Sequence, residues 1–69
     1  MKKTYFPERL KELRLEKEIG QDRLAKDLQI GNGTISLWEN GLREPKLSSL
    51  VMLAEYFDVS IDYLVGLED

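Results

Sequence analysis

Apolar residues recur every three or four positions along almost the whole chain, and that spacing dictates helix. Phe6, Leu10 and Leu13 form one run, Leu24, Ala25 and Leu28 a second, and Leu47, Leu50, Val51, Ala54 and Phe57 a longer one. An α-helix of 3.6 residues per turn gathers such positions on one face, which then needs another element to bury it. No strand-like alternation persists, so the expected fold class is all-α. At 69 residues the chain is near the lower size at which an apolar core holds without cross-links, and it has no cysteine to supply one. The expectation is a single domain over residues 1–69 packed around one core.

Local signals divide the chain into five helices. Pro7 suits a first helical turn, where its missing N–H does no harm, so the first helix is expected from about Pro7 to Lys17, with Leu15 off the stripe and exposed. The second starts at Gln21 after Gly20, and the third covers about Asn32 to Glu39. Asn40-Gly41 then stops it, since both residues tolerate left-handed backbone angles. Leu42 to Pro45 is a loop, with Glu44 kept out of the helical region by the proline. The fourth helix carries the apolar run from Leu47 to Phe57. Ser60 caps a fifth, with Asp62 in its first turn, Ile61, Leu64 and Val65 along it and Gly66 at its end.

Composition excludes several functions. Without cysteine or histidine there is no thiol nucleophile, no thiolate or imidazole metal ligand and no histidine base. The thirteen acids show no spacing that isolates a general acid/base pair, so an enzyme is not expected and no cofactor is implied. No apolar run approaches the roughly 20 residues that span a bilayer, and Met1-Lys2-Lys3-Thr4 does not open a secretory signal. A cytoplasmic binding protein is the expectation. The formal charge of −3 conceals a gradient. Residues 1–46 hold all ten Lys and Arg against eight acids, a balance of +2, and residues 47–69 hold five acids and no base. Either the basic part faces a polyanion, or the acidic part serves solubility.

The second and third helices are short, amphipathic and joined by about four residues, which suits a helix-turn-helix over about 21–40. At 100° per residue, Thr34, Ile35, Trp38 and Glu39 fall on one side of the third helix, and Trp38 there reads as core. Asn32, Gly33, Ser36, Leu37 and Asn40 fall on the other, a small, polar and uncharged surface.

Gly20-Gln21-Asp22-Arg23-Leu24-Ala25 through Ile35-Ser36-Leu37-Trp38-Glu39-Asn40-Gly41 resembles the phage-repressor helix-turn-helix family, the Cro/cI or XRE-like type. The resemblance extends back to Leu10-Lys11-Glu12-Leu13-Arg14 and forward to Arg43-Glu44-Pro45 and Phe57-Asp58-Val59-Ser60-Ile61-Asp62-Tyr63-Leu64. It implies a compact five-helix, lambda-repressor-like domain whose third helix enters the major groove of double-stranded DNA. On matching positions, Asn32, Gly33, Ser36 and Leu37 would face base edges, Asn pairing with adenine and Leu packing on a thymine methyl. Gln21, Asn40 and Arg43 would grip phosphates, with Lys46 as an additional cationic candidate. Arg14 and Glu39 would form a largely buried ion pair between the first and third helices.

The resemblance also places dimer contacts at Ser60, Ile61 and Leu64, within about residues 58–67. A weak homodimer on a palindromic operator follows, which would double the phosphate contacts of one copy. Some positions depart from the family pattern. Gln29 stands where the turn commonly has Gly, and Gly31 where a hydroxyl cap is usual. Glu18 occupies a frequent helix-ending Gly position, and Lys46 replaces the small polar cap of the fourth helix. Gly33 and Leu37 stand where many members carry Arg, Lys or Gln, so the reading face is uncharged. The expected function is a sequence-specific DNA-binding transcriptional regulator, a repressor that occludes a promoter. The alternative is a protein-interaction module, an antitoxin or anti-repressor partner that presents Leu37 to another protein.

Overall fold

Each apolar run becomes a helix: α1 over Phe6–Glu16, α2 over Gln21–Leu28, α3 over Asn32–Glu39, α4 over Leu47–Phe57 and α5 over Ile61–Val65. The computed structural model describes residues 4–69, and among the described residues there is no strand. The reading of Met1, Lys2 and Lys3 as a non-signal start lies outside the described residues. No helix of the described residues is long and apolar enough to cross a membrane.

The faces expected from the spacing meet in one core. Phe6, Leu10 and Leu13 of α1 pack with Leu24, Ala25 and Leu28 of α2, Ile35 and Trp38 of α3, Leu53 and Ala54 of α4, and Leu64 of α5. Phe6 and Trp38 meet edge to face at 6.1 Å between ring centroids, the arrangement that opposes a positive ring edge to a negative ring face. Leu15 is exposed, off the α1 stripe as expected.

The buried face of α4 is rotated from the expected one. Leu50, Leu53, Ala54 and Phe57 turn inward, whereas Leu47 is 72 % and Val51 41 % exposed. The spacing from Leu47 to Phe57 admits more than one stripe, and packing against α5 selects the one through Leu53.

All five helices end in the same way. Glu18, Gln29, Gly41, Asp58 and Gly66 follow them with positive φ, from 55° at Asp58 to 91° at Gly66. The next residue, in turn Ile19, Ile30, Leu42, Val59 and Leu67, donates its N–H five residues back into the helix, at 2.8 to 3.3 Å. This left-handed closure satisfies carbonyls that the end of a helix would otherwise leave open. At Ile19, Ile30 and Val59 it also folds an apolar side chain back against the core.

α5 is fastened to α1. Tyr5 donates its backbone N–H to the Val65 carbonyl, and Arg9 donates through Nη1 to the carbonyls of Tyr63 and Glu68, both at 2.9 Å. The Arg9 guanidinium lies 4.2 Å from the centre of the Tyr63 ring.

Candidate nucleic-acid interface

α2 and α3 are joined by the three residues Gln29, Ile30 and Gly31. Gln29 at φ 58° turns the chain sharply, and Ile30 fills the corner against the core. Ile35 and Trp38 anchor α3 on its inner side, leaving the opposite side outward. Asn32 and Gly33 are exposed there, and Ser36 and Leu37 half-buried. The Asn40 amide donates to the Ser36 hydroxyl at 3.2 Å, one turn along, which leaves the Ser36 O–H free to donate elsewhere.

The four residues expected at phosphates lie at the margins of this surface. Gln21 opens α2, half-buried, and Asn40 follows α3, exposed. Arg43 and Lys46 are exposed in the loop before α4 and, among the described residues, form no ion pair. With Ile30, Thr34, Trp38, Glu44 and Ser49 they line a shallow groove of about 250 Å³ between α3 and the start of α4. Gly20, Gly31 and Lys46 precede α2, α3 and α4 without a side-chain cap, so the first N–H groups of those helices have no partner from a capping side chain. Ser60, by contrast, caps α5 by accepting from the Tyr63 N–H at 2.9 Å.

Arg14 and Glu39 meet in the interior. The Arg14 Nε donates to one carboxylate oxygen at 2.7 Å and Nη2 to the other at 3.0 Å, with side chains 10 % and 4 % exposed. Nη1 donates to the Ile19 carbonyl at 3.0 Å, so the pair also fixes the turn after α1. The hydrogen bond to Glu39 raises the Arg14 pKa above its ordinary value against the opposing effect of desolvation. The guanidinium stays charged at any relevant pH.

The geometry corrects one expected site. Leu64 is fully buried in the core, so its side chain is not available to a second copy. Ser60 is exposed and Ile61 half-buried at the same end of α5. Spacing alone could not separate Ile61 from Leu64, since both lie on one apolar run.

Two contacts had no signal in the sequence. Gln21 donates from Nε2 to Glu39 at 3.1 Å, and the Tyr56 hydroxyl donates to Asp27 at 2.6 Å, linking α4 to α2. Both join residues far apart in the chain that only the packed fold brings together. Among the described residues no cluster of acids could hold a metal ion.

Comparison with known proteins agrees with this geometry. A Helix-turn-helix family model matches residues 10–64. The chain is 38 % identical over 64 residues to the HTH-type transcriptional activator BcrR of Enterococcus faecalis, covering 93 % of this chain and 31 % of that protein. It is 32 % identical over 61 residues to RstR, a cryptic phage CTXphi transcriptional repressor of Vibrio cholerae, covering 88 % of this chain and 55 % of RstR. The chain thus spans about half or less of these curated relatives. Among solved structures, the DNA-binding domain of the P22 C2 repressor superposes with a TM-score of 0.80 at 33 % identity, covering 93 % of this chain and 84 % of that one. A family match over most of the chain, on a helix pair with the same architecture, identifies the protein as a member of the XRE-type helix-turn-helix family.

Proposed function

We propose that this chain binds double-stranded DNA as a transcriptional regulator, with α3 in the major groove. One observation carries the reading. The outward side of α3 is small and uncharged, and groups suited to phosphate flank it: Gln21 before it, Asn40, Arg43 and Lys46 after it. Such a side can enter the groove closely, and amides, hydroxyls and apolar groups are among those that read base edges there. The uncapped starts of α2 and α4 support the same reading, because free N–H groups at a helix N-terminus attract phosphate oxygens.

In this reading Asn32, Ser36 and Leu37 face base edges, Gly33 allows close approach, and the four flanking residues hold the backbone. The relatives include a named activator and named repressors. Repression is the proposed sense, since a domain seated on a promoter blocks it with no further contact. The proposed setting is the cytoplasm of a bacterium, with no cofactor and no chemical step. The chain pairs weakly with a second copy through exposed Ser60 and the outer part of half-buried Ile61. The two copies then read a palindromic operator with half-sites about 34 Å apart.

Salt titration of DNA binding tests the reading. Affinity is expected to fall steeply with salt as counterions return to the phosphates, and Arg43→Ala to weaken all sequences and lower the slope by about 1. Asn32→Ala should instead relax preference at one or two base pairs, costing about 1–3 kcal/mol of discrimination there. A flat salt response by the wild-type chain would favour the protein-interaction module. Equal losses on operator and random DNA for Asn32→Ala would remove its base-reading role.

A further inference from the structure

Three donors converge on the Glu39 carboxylate. Arg14 supplies two of them, and the third is the Gln21 amide, which reaches the oxygen that also accepts from Arg14 Nη2. The ion pair is complete without Gln21, so the extra contact calls for its own explanation. Gln21 stands at the first turn of α2, half-buried at the margin of the α3 surface, and among the described residues its side chain makes no other hydrogen bond. A primary amide carries two N–H donors, and Glu39 occupies one.

We propose that Glu39 is a positioning residue for DNA binding: it fixes the Gln21 amide so that its second Nε2 hydrogen is ready for a phosphate oxygen. The inference rests on the reading of Gln21 as a phosphate contact. A free glutamine at a surface samples many rotamers and loses that freedom when it binds, whereas one already held gives up little. A lone carboxylate this near a phosphate would repel it. The two bonds from Arg14 neutralise Glu39 and leave it able to accept from Gln21, so the buried pair prepares the surface contact. Gln21 itself is uncharged. Its contact adds affinity without releasing a counterion.

A double-mutant cycle on DNA affinity tests this, with the full chain and a random DNA duplex at low salt. In the wild type, Gln21→Ala is expected to weaken binding about tenfold, the size of a charge-assisted hydrogen bond, with the salt slope unchanged. The background variant replaces Arg14 and Glu39 together with Met, since apolar replacement of a whole buried pair often preserves folding. There, Gln21→Ala should weaken binding by less than about twofold, because the amide has already lost its anchor. Equal losses in both backgrounds overturn the positioning role while leaving DNA binding intact. No loss in the wild type overturns the inference through Gln21 itself. Failure of the wild-type chain to bind any DNA overturns the functional reading and this inference together.

Should the Met pair fail to fold, nitrogen-15 relaxation of the wild-type Gln21 side chain decides. An order parameter near the rigid backbone value of about 0.85 supports positioning by Glu39, and one below about 0.6 overturns it.

Discussion

Tyr56 and Asp27 lie 29 residues apart, and one hydrogen bond joins them. Because the Tyr56 hydroxyl donates to it, the Asp27 carboxyl is held below the usual carboxylate range, with Arg23 adding to the effect against desolvation. The same bond, with desolvation, pushes the Tyr56 phenol above its ordinary value. A depressed carboxyl contributes stability that is present above its unfolded pKa of 3.8 and is lost as pH falls through the lower folded value. The raised phenol contributes stability present below its unfolded pKa of 10.0 and lost as pH rises through the higher folded value. Tyr56→Phe should therefore be less stable than wild type at neutral pH, with the difference in thermal melts closing well below about pH 4. A difference that stays constant down to pH 2 would assign the effect to lost packing instead. The bond was illegible in the sequence, because nothing within three or four residues of Asp27 signals a phenol from α4. The Arg14–Glu39 pair was legible through the family resemblance alone. Its third donor, Gln21, was not, since its reach across 18 residues depends on how α2 and α3 cross.

At the scale of the element, the recurring theme is the left-handed helix ending. Asn40-Gly41 and Gly66 announce theirs, whereas Glu18, Gln29 and Asp58 adopt the same conformation with a side chain. An L-residue there costs roughly 1–2 kcal/mol relative to right-handed helix, a cost glycine avoids but partly returns through its freer unfolded chain. Gln29 is exposed, so Gln29→Gly is expected to stabilise the domain by about 0.5–1 kcal/mol, a rise of roughly 2–8 °C in Tm by calorimetry. A fall in Tm would mean that the Gln29 side chain contributes more than its backbone angle costs. The departures of Gln29 and Glu18 from the family pattern were visible in the sequence. That both keep the glycine-like geometry was not, because it shows only in the backbone bonds that Ile19 and Ile30 donate five residues back, with both side chains turned inward. The face of α4 was legible as apolar but not in its rotation, which depends on α5.

For the whole molecule, five helices share one small core, so each buried side chain carries a large fraction of the total. A chain of this length has only about 3–10 kcal/mol of stability, and truncating a fully buried leucine costs about 2–5 kcal/mol. Leu64→Ala should therefore lower the urea midpoint sharply at every protein concentration. A variant with unchanged monomer stability that only self-associates less would restore Leu64 to a dimer surface. The charge gradient was legible from counting. It mattered more than the total, because every residue proposed at a phosphate lies in the part with the positive balance.

The five identical endings also bear on time. Each is set by a bond that spans only five residues, so a helix can find its stop before any distant partner has arrived. Chains ruled by such short-range closures fold in microseconds to milliseconds, since little loop entropy is lost before contacts form. The step expected to be slow is then the docking of α5 onto α1, with Arg9 reaching the carbonyls of Tyr63 and Glu68 across most of the chain. On that ordering, helix boundaries are expected early and the clasp between the two ends last.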